Sequence, residues 1–394
     1  MSEPKKRGKS GVYYIRYELP PGPDGKRRQR RVACPGLNKQ EARDHLAEIR
    51  AQIRRGTYID PDSATVGTFL AEWLKGAAAG SVRPNTLETN QRACDDHIIP
   101  ALGRIAMGKL TPMHIQEFVN NLTTKGRIHR REGEPAGLAP KTVRNIHMVL
   151  HAALRQAVAW RLIPYNPADG VTLPRRRRTD KRAASVGDVA ALLPLLEASK
   201  HRVPFLILLE TGLRRSEVLG LRWEDVSLES SQLWVRKSVG YAKATGVYLE
   251  DTKTAAGERP VLVSSELVGL LREHRRCQVT LASDSESGFT DQGLVCPNPT
   301  GGLMMPKVLT RAFSVITEKA KVDLDLHELR HTQISQLGNM GIYDPVTRDR
   351  VGHEDASVTR MYTHTTVEMQ RPAVEVMTNF IAAARALAQT SKTG

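Results

Sequence analysis

The sequence predicts an α+β chain, mainly helical and built in three parts. These are a small β-hairpin with a helix, a helical bundle, and a larger mixed α/β segment with a small antiparallel sheet. Three observations carry that expectation. The chain has 394 residues, which at roughly 150 residues per domain is long enough for two or three domains. Its apolar pattern starts as alternation, passes into helical periodicity and then mixes the two. Its net charge of +16 is unevenly spread, with 15 Lys/Arg against 7 Asp/Glu in residues 1–60.

The first part opens with "GVYYIRYEL", turns through "PPGPDG", returns as "KRRQRRVAC" and continues into "NKQEARDHLAEIRAQIRRG". This reads as a β-hairpin followed by a helix with Leu46, Ile49 and Ile53 on its apolar stripe. Arginines and aromatics alternate along the strands, so one face can pack on the helix while the other meets a polyanion. Arg16, Lys26, Arg27, Arg28, Arg30 and Arg31 are the candidate contacts; the competing reading is a solvated basic hairpin.

Residues 64–170 read as all helical. Val66, Phe69, Leu70, Trp73 and Leu74 fall on one stripe, Thr111 and Pro112 start a second helix, and a run from Lys141 to Leu162 stops before Pro164. The stretch "NPADGVTLPRRRRTDKR" reads as a linker, with Arg175, Arg176, Arg177 and Arg178 placed to track a polyanion or only to solubilise a tether. Beyond it come helices at 187–199 and 203–222, strands at "QLWVRKS", "VYLED" and "RPVLVS", and helices to the end. Near the C-terminus Val374, Met377, Phe380, Ile381, Ala384 and Leu387 make one stripe, which is to be buried either within the chain or on a neighbour.

Composition excludes some classes. The basic excess points to nucleic acid before anionic membrane. No apolar run approaches about 18 residues and the N-terminus is polar, so neither a spanning helix nor a signal peptide is expected, and the expected location is the cytoplasm. Cys34, Cys94, Cys277 and Cys296 lack a C-x-x-C pair and read as free thiols.

The stretch "DLHELRHTQ" satisfies the H-E-x-x-H pattern of zinc peptidases through His327, Glu328 and His331. Arg330 argues against metal. It stands three residues after His327, on the same helical face, and would set a guanidinium beside a dication. Leu337 occupies the place of a third histidine. The pattern therefore reads as a coincidence of spacing, with no metal expected.

Four other features have no place in a peptidase. "TGLRRSEVLGLRW" puts Arg214 three residues before Glu217 on a helix, where the carboxylate can hold the guanidinium. "EDTKTAAGERPVLV" places Lys253 at a hairpin turn, with Lys237 and Lys243 nearby. The stretch already discussed supplies His327 and Arg330. "RVGHEDASVTRMYTH" sets His353 nine residues before Tyr362. In this order and spacing the chain resembles the tyrosine recombinase family, and over its whole length a lambda-type phage or mobile-element integrase, with Val351 where the family usually has Leu.

The resemblance implies an N-terminal arm-type DNA-binding domain (1–60), a helical core-binding, SAM-like domain (64–170), a basic linker (171–183) and a catalytic domain (184–388). It implies Tyr362 as nucleophile, Arg214 and Arg330 on the phosphoryl oxygens, and Lys253 as acid to the departing 5′ oxygen. It further implies His327 and His353 as proton and hydrogen-bond partners, with Glu217 in support. No cofactor is implied. The implied partners are double-stranded DNA attachment sites, a homotetramer on DNA, and host bending and directionality factors. A type IB topoisomerase, which uses nearly the same residues, is the alternative.

Overall fold

The structure is a computed structural model that describes residues 4–7, 12–19, 28–55, 64–78, 80, 82–129, 132–175, 183–252, 258–342, 344–352 and 370–390. The chain divides into two compact units, residues 1–82 with 89–177, and residues 83–88 with 178–394. The boundary falls inside the stretch expected as a linker, and compactness separates two units where the sequence pattern suggested three domains.

The first unit begins with an antiparallel sheet of β1 (Lys5–Arg7), β2 (Val12–Leu19) and β3 (Arg28–Cys34), in that order. β1 was not anticipated, because three cationic residues carry no alternation to read. Helix α1 (Lys39–Arg55) closes a separate core of Ile15, Tyr17, Cys34, Ala42, Leu46 and Ile49. Strand register settles which way the arginines lean. Ile15 pairs with Val32 and Tyr17 with Arg30 on the inward side, whereas Arg16 pairs with Arg31 on the outward side.

Helices α2 (Val66–Trp73), α3 (Pro84–Ala93), α4 (Ile99–Leu102), α5 (Pro112–Lys125) and α6 (Pro140–Ala159) follow. Val66, Phe69, Leu70 and Trp73 are buried, as their spacing predicts. Thr111 caps α5 by accepting from the His114 backbone N–H. α6 ends before the proline that was to stop it, with Arg161 taking a left-handed turn at φ 58°.

The second unit contains α7 (Val186–Glu197), α8 (Arg202–Thr211) and α9 (Arg215–Leu219). Next come β4 (Val226–Ser227), β5 (Gln232–Val235), β6 (Lys237–Ala242), β7 (Gly246–Asp251) and β8 (Arg259–Leu262). Helices α10 (Ser265–Ser283), α11 (Pro306–Ala320), α12 (Glu328–Asn339), α13 (Asp344–Val351) and α14 (Arg371–Thr390) complete it. The strands form a sheet ordered β4-β5-β8 and a separate β6-β7 hairpin, all antiparallel.

The expected helix over 203–222 is two helices, because Gly212 turns left-handed and ends α8. The tail helix α14 packs on α7 and buries Met377, Phe380, Ile381 and Ala384 in the core of the same unit. Ala373 replaces Val374 in the buried stripe, and Leu387 is 46% exposed.

Candidate active site

The break between α8 and α9 positions the first arginine. Gly212 adopts φ 63°, and a Cβ there would stand 2.1 Å from the Gln333 side-chain oxygen, so only glycine fits. The chain then leaves α8 in extended conformation, and Arg214 is the N-cap of α9 and not a residue within it. Glu217 accepts from the Arg214 backbone N–H at 2.9 Å and from its Nη1 at 2.8 Å. The pairing expected from their spacing is present, through the geometry of a cap. Arg214 Nη2 donates to the carbonyl of Gly352 at 2.8 Å.

Gly352 is a second left-handed glycine, at φ 66°, where a Cβ would press on the Arg259 guanidinium at 2.7 Å. Arg259 is the residue that sequence reasoning missed. It is 5% exposed, donates through Nη2 to Glu217 Oε2 at 3.0 Å and through Nε to the Arg350 carbonyl at 2.9 Å. Burial by itself would push the Glu217 carboxyl up. The Arg259 charge and the bonds from both arginines outweigh it and hold the group below the usual carboxylate range. Glu217 therefore remains an anion between two guanidiniums.

Arg330 lies on the first turn of α12 and is 3% exposed. Its Nη1 donates to the Gly212 carbonyl at 2.8 Å, while Nη2 is buried with no hydrogen-bond partner among the described residues. Burial, with the charge of Arg214 second, lowers this guanidinium to about 9, so it still carries its proton at neutral pH. A buried donor without a partner is costly, by about 1–3 kcal/mol or more for a charged group. An anion at that point would relieve the cost.

His327 caps the same helix, exposed, with its backbone N–H on Asp325 Oδ1 at 2.7 Å and its ring 4.9 Å from that of His331. Glu328 is occupied at the helix start. Its carboxylate accepts from Asp325 N at 2.6 Å, and its own N–H donates back to Asp325 at 3.0 Å. Among the described residues no group of three His, Cys, Asp or Glu side chains could hold a metal ion.

The structure thus brings Arg214, Glu217 and Arg330 together, with His327 one turn from Arg330 along the same stretch. Lys253, His353 and Tyr362 lie outside the described residues, as do Lys26, Arg27, Arg176, Arg177 and Arg178. Of the other hairpin lysines, Lys237 is paired with Asp251 at 2.6 Å, and Lys243 sits in the β6-β7 turn. Among the N-terminal cations, Arg16 and Arg31 are exposed on the outward face. Arg31 stacks 4.4 Å over Tyr14, and Arg16 donates to Gln29. Arg30 is half-buried on the inward side, opposite to the face of Arg16 and Arg31, so the expected row of contacts divides between two faces. Arg175 is exposed.

This cluster occurs in a chain whose residues 188–369 match the profile of the phage integrase family. Residues 65–123 match the profile of the phage integrase N-terminal SAM-like domain, and the two matches together span more than half of the sequence. The chain belongs to the phage integrase family of tyrosine recombinases. Among its relatives, a "Tyrosine recombinase XerC-like" protein of Caldanaerobacter subterraneus subsp. tengcongensis is 24% identical, over 94% of this chain and 97% of that protein. An "Integrase" of Streptomyces ambofaciens is 25% identical, over 86% and 85%.

Solved structures share the fold. The Tn1549 transposon integrase in complex with a circular intermediate DNA aligns at TM-score 0.62 and 21% identity, over 79% of this chain and 99% of that one. A lambda integrase tetramer bound to a Holliday junction aligns at TM-score 0.52 and 16% identity, over 93% and 98%.

Proposed function

We propose that this integrase cuts and rejoins DNA at specific sites through a 3′-phosphotyrosyl intermediate, inserting and excising a phage or mobile element. The observation that carries this reading is the pair Arg214 and Arg330. Each is fixed by one glycine carbonyl, and Arg330 holds back a buried N–H that an incoming phosphate can take. Two pre-oriented guanidiniums neutralise charge building on nonbridging phosphoryl oxygens, the part that Mg²⁺ plays in many phosphoryl-transfer enzymes.

In the reaction, Tyr362 Oη attacks phosphorus and the P–O5′ bond breaks. The tyrosine proton passes to His327, Lys253 delivers a proton to the departing 5′ oxygen, and His353 donates a hydrogen bond to the phosphate. Tyrosine ionises near pH 10 and is a weak nucleophile unaided, so these groups are needed at neutral pH. The ester linkage keeps the energy of the broken bond, and a 5′ hydroxyl from another strand reverses the attack without ATP or a metal.

Two rounds through a four-way junction exchange two duplexes, which calls for four protomers on DNA. The lambda integrase tetramer on a Holliday junction supports that assembly. Residues 1–60 are assigned to arm-type sites and 64–170 to core sites, with host bending and directionality factors as further partners. The working location is the cytoplasm with the DNA; among the described residues no helix is long and apolar enough to cross a membrane. The named relatives are integrases and a tyrosine recombinase, which favours strand exchange over the relaxation carried out by a type IB topoisomerase.

Tyr362→Phe tests the reading. On a nicked suicide substrate the variant is expected to bind DNA as the parent does and to form no covalent adduct. An adduct formed by Tyr362→Phe removes Tyr362 from the role of nucleophile.

A further inference from the structure

β8 is an edge strand. β5 pairs it on one side, and among the described residues no strand lies on the other. An open edge inside a folded unit leaves backbone donors and acceptors to be satisfied by something else. Here two side chains do this. Gln370 accepts from Leu262 N–H at 3.2 Å and donates to the Pro260 carbonyl at 3.0 Å. Arg350 Nη1 donates to the Leu262 carbonyl at 2.7 Å. Pro260 offers no N–H, so the edge is filled without an orphan donor.

The two side chains also bind each other, Arg350 Nη1 to Gln370 Oε1 at 3.0 Å, across a separation of 20 residues. Arg350 is wholly buried, and its Nη2 reaches the Glu210 carbonyl at 3.3 Å. Its own carbonyl holds Arg259, which holds Glu217, which holds Arg214. Between residues 350 and 370 the sequence carries His353 and Tyr362.

We propose that Arg350 and Gln370 are positioning residues for strand cleavage, joining both ends of the Tyr362-bearing stretch at one buried point on the edge of β8. The same point is wired to the Arg214 clamp. Both side chains are spent on backbone carbonyls, a backbone N–H and each other, which suits a positioning role and not a chemical one. Tying the ends restricts where the stretch between them can carry its nucleophile, and a misplacement near 1 Å can cost about 10²-fold in rate. The anchoring needs these two residue types. Gln370 must donate and accept on one strand edge, and Arg350 must reach a carbonyl on β8, one on α8 and Gln370 together.

The inference rests on Tyr362 being the nucleophile, so Tyr362→Phe is run alongside. The experiment measures single-turnover adduct formation on a suicide substrate at saturating protein, with DNA affinity and melting temperature recorded for each variant. Gln370→Ala is expected to keep DNA affinity within about twofold and to slow adduct formation roughly 10- to 100-fold. Gln370→Glu keeps both acceptor bonds but loses the donation to Pro260, so it is expected to recover only part of the rate that Gln370→Ala loses. A substrate with sulfur as the 5′ bridging atom relieves the need to protonate the leaving group, and it leaves the Gln370→Ala defect in place because the fault lies in attack.

Val189→Ala, a core change in the same unit, controls for stability. If it loses as much rate as Gln370→Ala at the same drop in melting temperature, or if the sulfur substrate restores Gln370→Ala, or if Gln370→Ala cleaves at the parent rate, positioning by this node is overturned. An adduct formed by Tyr362→Phe would instead overturn the reading on which the inference stands.

Discussion

Two arginine-rich regions of this protein use the same side chain in opposite ways. On the N-terminal sheet, Arg16 and Arg31 stand exposed on a face with Tyr14 between strands. In the second unit Arg330, Arg259 and Arg350 are 3%, 5% and 0% exposed, each bonded to at least one backbone carbonyl. Removing a guanidinium from water costs several kcal/mol even after relaxation. Among the described residues the second unit accepts that cost three times, whereas the first buries no arginine. Net charge alone points to a polyanionic partner; fixed hydrogen bonds to buried partners, which hold even the half-exposed Arg214 on Glu217 and the Gly352 carbonyl, are what separate arginines able to direct chemistry from arginines that hold DNA by counterion release.

The largest test of that contrast is removal of a clamp arginine, the buried Arg330 or the half-exposed Arg214. Arg330→Ala and Arg214→Ala are each expected to lower the single-turnover cleavage rate by about 10²- to 10³-fold, the scale for deleting one preorganised donor. Arg330→Lys should not restore it, since one ammonium lacks the planar fork that bonds Gly212 while presenting a second N–H. A lysine variant cleaving near the parent rate would show that charge suffices and that the buried geometry is incidental.

Next in size is the anion that holds the cluster together. Glu217→Ala leaves Arg259 buried without its carboxylate, and breaking such a pair costs about 3–5 kcal/mol. The pH dependence has a definite sign. The Glu217 carboxyl is depressed in the folded protein. Its stabilising contribution is therefore present above the unfolded value of about 4.3 and is lost as pH falls through the lower folded value. Urea unfolding from pH 7 down to pH 3 should show a steeper loss for the parent than for Glu217→Gln. Parallel curves would remove the ion pair from the account of stability.

How much of this was legible in the sequence follows from what each residue depends on. The Arg214–Glu217 pair could be read because its spacing lies within one turn, Arg330 only through the resemblance to the recombinase family, and the stripe of α2 because periodicity reports burial. Arg259 could not. Its partner Glu217 is 42 residues away, and "GERPVLV" reads as an ordinary strand. The glycine at 212 was in view, yet periodicity ran straight through it and suggested one helix, since an apolar stripe carries no record of a left-handed φ. Arg350 and Gln370 were invisible for the same reason as Arg259, because their role is defined by a strand edge that only the assembled sheet creates. The N-terminal arginines were legible as charge but not as faces, because the register that turns Arg30 inward and Arg31 outward is set by pairing.

The apparent metal motif offers a smaller effect. Glu328 closes a reciprocal cap with Asp325, and Glu328→Gln keeps an acceptor there, so the expected loss of stability is under about 1 kcal/mol. Cleavage should stay within about twofold of the parent, and excess EDTA should leave it intact, because no step uses a general base on metal-bound water. Loss of cleavage with either treatment would return Glu328 to the chemistry.

The smallest expected effect belongs to the exposed face. Each phosphate neutralised by a protein cation contributes about 0.9 to the slope of log affinity against log salt. If the outward face of the N-terminal sheet holds DNA, Arg16→Ala and Arg31→Ala should each flatten the slope by about that amount on full attachment-site DNA. Arg30→Ala, half-buried on the inward side, should leave the slope alone and lower the melting temperature instead. Cleavage of an isolated core site should be unchanged by all three, because Arg214, Glu217 and Arg330 lie in the other unit. Deleting residues 1–60, which carry a net charge of +8, should preserve core-site cleavage while recombination of full sites falls. Equal slopes for the Arg30 and Arg31 variants would mean that strand face does not decide which arginines meet DNA, and the contrast between the two regions would reduce to charge alone.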